Sequence, residues 1–500
     1  MEEQVKMCLR VLSPVHIGCG DVYEPTSFVI DRGQNQMIVF DPLEFTKNIG
    51  GDDRNKFEEI CEKGTIVSII ELFDFISSKR TLVSGRPVEI SQQIAKHYND
   101  KIRGLRQREE SKIKQELNNF SISRTAYNSH TQLPYIPGSS VKGSLRTAYL
   151  SLLAQQANIK KYWENMVKER KPDIVYKEIG KQKIAQKLEH KLLGIPSQQQ
   201  KNPFELDPFR MMKVSDFLPV QCLKTKILYA INKKKSPGNN EARGPFQILE
   251  VIMPGSIFVG AITIAKPHER SGIKHPITLE DLFKALNAFY STNLQTETEL
   301  LQFIKVGNNV QMEIANQFEG KIGVSAFVAR IGRHSGAEAV TVENNRFIKI
   351  NMGDRSQNKF LESSTTVWLA SDTSKPQTND ALSPFGWVVL EKTDMDFGEI
   401  ITPVCFKIDQ SAAAVHQQAP VTEIPQAPSA PPERPLNSFL KKIKVCRPTE
   451  MGAICQIIDD ALKQLEKEDE KKEFARAVKD HMGKMFKKSK AEARLKAFIE

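Results

Sequence analysis

The sequence predicts an α+β body joined by a proline-rich linker to a small helical tail. Strand-like and helix-like segments alternate through residues 1 to 407, which excludes an all-helical or all-β body. The same strand and helix content occurs twice, once on each side of about residue 215, without visible sequence identity between the halves. Beyond Lys407, SAAAVHQQAPVTEIPQAPSAPPERPLNS sets Pro420, Pro425, Pro428, Pro431, Pro432 and Pro435 among Ala and Gln. That composition favours extended, semi-stiff chain and offers too little apolar surface to offset the entropy of ordering. The expected organisation is therefore 1–215, 216–407, a linker at 408–437 and a helical tail at 438–500.

Element by element, Val5 to Leu12 reads as the first strand. Phe28 to Ile30 and Met37 to Phe40 read as a hairpin across Asp31-Arg32-Gly33. Asp41-Pro42-Leu43-Glu44 supplies a capping acid, a proline at the first helical position and a Glu three residues on, which starts a helix. Residues 92–120 and 150–193 are charged and helical in pattern. Strands resume with ILYAI from Ile227, FQILEVIMP and SIFVGAITIA, and a helix from Leu279 to Ala288 follows the cap-like Thr278. KIGVSAFVAR, RFIKI, TTVWLA, WVVLE and TPVCFKI read as further strands. In the tail, Ile454, Ile457, Ile458, Ala461, Leu462 and Leu465 recur at helical spacing, and a basic segment follows from Phe474.

The 71 Lys plus Arg against 60 Asp plus Glu leave a net charge of +11, which excludes an acidic solvating protein and makes a polyanionic partner worth testing. Residues 438–500 hold 16 of the cations and 11 of the anions, so the body is only mildly basic. At 40% hydrophobic residues the chain can bury ordinary cores, enough for two to four domains. The most apolar stretch, Ile248 to Ala265, is interrupted by Glu250, Pro254 and Gly255, so no membrane partner is expected. The opening MEEQVKMCLR shows no basic region ahead of an apolar one, and a cytoplasmic location is the default expectation. The seven cysteines are scattered with no C-x-x-C pair, so reduced thiols and no structural zinc are expected.

Three segments carry chemistry. Leu133-Pro-Tyr-Ile-Pro-Gly-Ser-Ser-Val-Lys-Gly-Ser-Leu-Arg runs from a short strand through a tight turn at Pro137-Gly138 into a helix that Ser139 or Ser140 is placed to cap. A helix start points unpaired N–H groups and the positive end of its dipole outward, where a phosphate can sit. Lys142 and Arg146, four apart, project from one face beside it. The spacing is not that of a P-loop. The second segment is Arg330-Ile-Gly-Arg-His-Ser-Gly, in which Gly332 and Gly336 free the backbone and Arg333, His334 and Ser335 offer donors to phosphate or ribose oxygens. The third is Ser13-Pro-Val-His-Ile-Gly-Cys-Gly after the first strand. Its His16 is either a hydrogen-bonded turn residue or a general acid for RNA cleavage; no nucleophile elbow accompanies it.

Taken together, LRVLSPVHIGCGDVYEP, LPYIPGSSVKGSLRTAYL, DPFRMMKVSDF and GRHSGAEAV with SPFGWVVLE resemble the RAMP superfamily of CRISPR proteins over about residues 5–407. Within it, the match is best to the type III-A (Csm) effector subunits that cap the 3′ end of the crRNA. The resemblance implies two ferredoxin-like, RRM-type domains with helical insertions. It also implies crRNA binding through glycine-rich loops, with no metal and no cofactor. Carried over residue by residue, the implied RNA-proximal positions are His16 and Gly18 in the first-strand loop, Arg124, then Gly138, Ser139, Ser140, Lys142, Gly143 and Arg146, and Gly332, Arg333, His334, Ser335 and Gly336. Where the related target-cutting subunit carries an Asp in its early loop, this chain reads Tyr23-Glu24-Pro25-Thr26-Ser27, which favours a non-catalytic role. The alternative is a metal-independent crRNA-processing endoribonuclease using His16 or His334. Implied partners are crRNA, the other Csm backbone subunits, target RNA and a trimming nuclease.

Overall fold

A computed structural model describes the chain except for residues 1, 25, 32, 84, 104–120, 165–183, 197–201, 221, 237–245, 308, 351–358, 396–435, 437–438, 441–442, 444–450, 466, 484–485, 487–488 and 499–500. The expected helix beyond Arg103, the middle of the 150–193 helical stretch, the strand at 402–408 and nearly all of the linker fall outside the described residues. Contacts divide the chain into two compact units, Met1–Ala412 and Ala413–Glu500.

In the first unit the strands are β1 (Glu2–Val11), β2 (Gly18–Tyr23), β3 (Phe28–Asp31), β4 (Gln36–Val39), β5 (Arg86–Ile90), β6 (Ile122–Thr125), β7 (Met212–Val214), β8 (Leu218–Pro219), β9 (Thr225–Lys234), β10 (Gln247–Ile252), β11 (Ile257–Ala265), β12 (Ala326–Arg330), β13 (Ile348–Ile350), β14 (Lys359–Leu361), β15 (Thr366–Ser371), β16 (Ser383–Pro384) and β17 (Trp387–Lys392). Its helices are α1 (Pro42–Asn48), α2 (Gly51–Glu62), α3 (Ile66–Ser78), α4 (Gln92–Arg103), α5 (Gly138–Gln156), α6 (Ile184–Leu192), α7 (Pro203–Leu206), α8 (Leu279–Phe303) and α9 (Val310–Phe318). This is the mixed α/β body that the alternation predicts.

The first sheet runs β12-β17-β1-β11-β7, with β8 also on β11, and every neighbouring pair is antiparallel. Leu9 of β1 faces Phe258 on one side and Leu390 on the other. β11 lies between β1 and β7, so helix α5 sits in a split crossover, while α8 leads from β11 through α9 to β12 at the far edge, past β1 and β17. Leu145, Ala148, Leu282 and Leu286 join the sheet residues in one core, with the Phe283 and Phe327 rings stacked at 4.3 Å. The second sheet has nine strands in the order β2-β6-β10-β9-β5-β4-β3, with β15 on β9 and β16 on β15. The chain passes between the sheets repeatedly, so both draw strands from either side of residue 215.

One difference from the expected elements has a clear cause. The helix from Leu279 continues to Phe303 because the polar run STNLQTETELL keeps its inward stripe, burying Leu294, Glu297, Thr298 and Leu301. Glu297 is buried there as the ion partner of Arg330, at 2.8 Å. Of the expected strand RFIKI only Ile348–Ile350 forms β13, which pairs with β14 in a separate hairpin. The Asp41 carboxylate accepts from the Leu43 amide and caps α1 as its sequence announces.

The second unit holds α10 (Met451–Gln464), α11 (Glu468–Met482) and α12 (Lys490–Leu495). Ile454, Ile458, Ala461 and Leu465 of the expected stripe are buried with Phe474, Val478 and Leu495 in a core of its own. Asp459 and Arg494 pair at 2.8 Å between α10 and α12. Among the described residues no helix is long and apolar enough to cross a membrane, and no three His, Cys, Asp or Glu are grouped to hold a metal ion.

Candidate functional site

The chain leaves β1 at Val11 into a loop stitched to three strands. Leu12 and Ser13 donate backbone N–H groups to the Trp387 carbonyl, Trp387 donates its own to Ser13 Oγ at 2.8 Å, and Val15 exchanges bonds with Ile252. His16 is fully buried, its Nδ1 2.7 Å from the Glu250 carbonyl. A carbonyl only accepts, so the proton sits on Nδ1 and Nε2 carries a lone pair, which has no partner. Burial, and after it the nearby Arg333 charge, push the imidazole pKa down against the opposing bond to Glu250. Ile17 then pairs with β6, its amide donating to Thr125 Oγ1 at 3.1 Å. Gly18 opens β2 opposite Thr125.

Under this loop lies a buried ionic group that composition and motifs did not bring out. The Glu250 carboxylate accepts from Arg86 at 2.9 Å and from the Tyr23 hydroxyl at 2.7 Å, and Arg86 also reaches Tyr23 and Thr225. Burial opposes ionisation of Glu250 most strongly, but the Arg86 guanidinium, the Tyr23 hydrogen bond and the Arg124 charge together outweigh it and hold the carboxyl below its ordinary range. The available signal was Glu250 itself, a charge standing in an apolar strand, where only a paired carboxylate is tolerated.

The glycine-rich loop leaves β12 at Arg330, itself buried with Nη2 on Glu297, Nε donating to the Phe385 carbonyl at 2.9 Å, and its guanidinium over the Trp387 ring. Gly332 has φ +82°, and a Cβ there would stand 2.5 Å from the His16 carbonyl oxygen, so only glycine fits. The next amide, of Arg333, donates to that same oxygen at 2.8 Å. The Arg333 side chain is exposed and in no ion pair among the described residues. His334, at φ +67°, packs on Trp368 and Phe385 with centroids 4.6 and 5.3 Å away. Its Nε2 is buried without a partner, and burial first, then Arg333 and His16, bring its pKa down to about 4. Ser335 Oγ donates back to the Gly332 carbonyl at 2.7 Å, and Gly336 turns the chain at φ +82° into a short 3₁₀ turn, Ala337–Val340. Glu338 in that turn accepts from Lys235 and from the amide and hydroxyl of Ser364. Its carboxyl, although burial opposes ionisation, is lowered to about 2, with the Lys235 hydrogen bond the largest opposing cause.

The first-strand loop and the glycine-rich loop are thus brought into direct contact, with Arg124 nearby on β6. The Arg124 guanidinium lies over the Tyr127 ring at 3.2 Å and donates to Gln132. The Pro137–Arg146 segment behaves differently. Neither Ser139 nor Ser140 caps α5: the N-cap is Pro137, and the Gly138 amide donates to Asp216 Oδ1 at 2.8 Å. A carboxylate of the chain therefore already occupies part of the anion position at this helix start. A Cβ on Gly138 would lie 2.2 Å from the Val214 carbonyl oxygen, so the glycine serves close packing on β7. Lys142 Nζ donates to the Met212 carbonyl at 2.6 Å. Arg146 is held by both oxygens of Asp207 and by Glu189 at 2.7 Å. Ser144, two residues from each and so about 200° around the helix, donates to the Arg330 carbonyl at 3.0 Å. The helix thus presents Ser144 to the glycine-rich loop and turns Lys142 and Arg146 away from that bond. Gly143 and Ser139 are exposed.

No curated protein sequence matches the chain. Among solved structures, a chain of a type III-A Csm–crRNA–target RNA ternary complex aligns over 77% of this chain and 100% of its own at 20% identity, with a TM-score of 0.51. Csm5 of T. onnurineus aligns over 76% of this chain and 99% of its own at 19% identity and a TM-score of 0.41. At these identities the first likeness is one of fold. The RAMP superfamily profile matches residues 8–312, more than half of the sequence, taking in the first-strand loop and ending before β12 and the glycine-rich loop. The chain belongs to the RAMP superfamily.

Proposed function

We propose that the chain is a non-catalytic, RNA-binding subunit of a type III-A CRISPR (Csm) effector complex, one that grips the 3′ portion of the crRNA and caps the end of the backbone filament. It acts in the cytoplasm, in crRNA 3′-end maturation and antiviral defence, with crRNA, neighbouring Csm subunits, target RNA and a trimming nuclease as partners. The reading keeps two ferredoxin-like domains, expected at 1–215 and 216–407; the split crossover that carries α5 in the first sheet supports a ferredoxin-like element, although both sheets draw strands from either side of residue 215. The observation that carries the proposal is the junction of loops: Gly332 and Arg333 lock onto the His16 carbonyl, leaving the Arg333 guanidinium exposed with no acidic partner among the described residues. A fixed backbone turn with a free guanidinium suits a phosphate, which carries no base identity. Gly18 and Gly336, in the two joined loops, and Arg124 on β6 are proposed to extend this contact, and Ser139, Ser140 and Gly143 stay proposed contacts at the start of α5. Lys142 and Arg146 enter as residues that hold α5 in place.

The test is a mobility-shift series on single-stranded crRNA with Arg333→Ala. Weaker binding and a salt dependence shallower by about one phosphate contact are expected; affinity and slope equal to wild type remove the junction as an RNA site.

The endoribonuclease alternative requires an imidazole that can hand over a proton. His334, with its pKa near 4, and His16, shifted the same way inside the core, are both neutral at neutral pH. Incubation with crRNA precursor in EDTA decides the matter: discrete cleavage lost on His16→Ala or His334→Ala overturns the non-catalytic reading.

A further inference from the structure

The glycine-rich loop is held at both ends by one helix. Tyr290 and Glu297 of α8 lie about two turns apart, and so on one face, and both are buried. Glu297 takes the entrance of the loop: its carboxylate receives Arg330 Nη2 at 2.8 Å and the Trp387 indole Nε1 at 2.6 Å. Tyr290 takes the exit, its hydroxyl donating to the Ala339 carbonyl at 3.3 Å, with the Ser144 carbonyl farther off at 3.4 Å. Ser144 of α5 stands between the two ends, its Oγ 2.8 Å from the Tyr290 hydroxyl and 3.0 Å from the Arg330 carbonyl.

Four oxygens therefore form a row: the Arg330 carbonyl, the Ser144 and Tyr290 hydroxyls, and the Ala339 carbonyl. The carbonyls at its ends only accept, so removing either hydroxyl takes a donor from one end of the loop. Burial pushes the Tyr290 hydroxyl up to about 12, and it keeps its proton at neutral pH. A phenylalanine fills the same place in the core; what the tyrosine adds is an oxygen that reaches both ends of one loop, directly at Ala339 and through Ser144 at Arg330. Between those ends lie Gly332 and Arg333, locked on the His16 carbonyl. The Arg333 side chain is exposed, so its place is set by the backbone that carries it. A loop fixed before its ligand arrives does not have to be ordered on binding, and that saving appears as affinity.

We propose that the Tyr290 and Ser144 hydroxyls are positioning groups for Arg333: without touching RNA, they hold both ends of the glycine-rich loop so that the guanidinium is set for a phosphate in advance. This rests on the RNA-binding reading above and adds to it the buried groups that preorganise the contact.

The test is a double-mutant cycle on the affinity of the full-length protein for single-stranded crRNA, at one salt concentration. Tyr290→Phe, Arg333→Ala and the pair are titrated well below their melting temperatures, which are measured alongside so that affinity refers to folded protein. Tyr290→Phe is expected to weaken binding about fivefold when Arg333 is present and to have no effect in the Arg333→Ala background, because the group it acts through is gone. A role in stability alone does not produce that dependence on Arg333. Ser144→Ala, which removes the neighbouring hydroxyl and keeps the helix, is carried through the same cycle with the same expectation and replaces Tyr290→Phe should that variant fail to fold. Wild-type affinity in the folded hydroxyl variants, or an equal loss in both backgrounds, overturns the positioning role and leaves the RNA-binding reading standing. Arg333→Ala binding as tightly as wild type overturns the junction as an RNA site and the positioning role with it.

Discussion

The Arg333 amide and the His16 carbonyl meet at 2.8 Å, joining the loop after the first strand of the body to a loop more than three hundred residues later. Gly332 makes this approach possible, since its Cα faces the same oxygen at a distance that admits no side chain. Gly332→Ala combines a left-handed backbone with a clash against backbone, and is expected to cost about 2 kcal/mol or more. Urea unfolding measures the loss. A midpoint equal to wild type would mean that the two loops are not held this way.

Beneath the junction, Glu250 and Arg86 form a buried pair at 2.9 Å. Removing one partner leaves the other charge uncompensated, so Arg86→Met or Glu250→Leu alone should destabilise by about 3–5 kcal/mol. The double variant should lose clearly less than the sum of the two, because no lone charge remains. Additive losses in a denaturant-based double-mutant cycle would rule out direct coupling.

Arg146 and Arg333 have opposite surroundings and so predict opposite phenotypes. Arg146→Ala releases Asp207 and Glu189 and should lower the melting temperature, with RNA affinity per folded molecule unchanged. Arg333→Ala should leave the melting temperature within error and weaken RNA binding. Paired calorimetry and mobility shifts separate the two, and an Arg146 variant that melts normally yet loses RNA would reverse the assignment.

His334 gives a pH window. Its pKa falls from the ordinary 6.5 to about 4 on folding, so the unfolded chain takes up its proton first. The stability it contributes is complete above pH 6.5 and is lost as pH falls through the range down to about 4. The groups facing it are Arg333 and His16, and His16 titrates in the same direction. Glu338, lowered to about 2, adds a further loss below its ordinary 4.5. Unfolding free energy measured from pH 7 to pH 4 should drop for wild type and drop less steeply for His334→Phe. Equal slopes would place the acid sensitivity elsewhere.

The sequence made the α/β body and the helical tail legible because both rest on local signals. These are alternating or helically spaced apolar residues, the Asp41-Pro42 helix start, and a proline cluster beyond Lys407. The two glycine-rich segments and the first-strand loop were legible as motifs, and Gly332 stands where only glycine fits. Long-range pairing was not legible. Nothing around Lys142 and Arg146 announces that Met212, Asp207 and Glu189 occupy them, because those partners lie 43 to 70 residues away in the chain. The extension of α8 to Phe303 was hidden because Glu297 and Thr298 read as solvent-facing until Arg330 supplies a partner.

The placement of β1 between β11 and β17 sets an order of events during synthesis. Leu9 finds its partner Leu390 only once almost four hundred residues have been made, so both edges of β1 wait while the ribosome continues. Contacts that span so much chain form slowly, and strand edges left open in the meantime invite pairing with the wrong neighbour. The first strand of the body is therefore expected to be exposed to mispairing during synthesis, whereas the helices after Met451 pack on neighbours close in sequence. Slowing translation between residues 265 and 387 should lengthen that exposed interval and raise the fraction that aggregates.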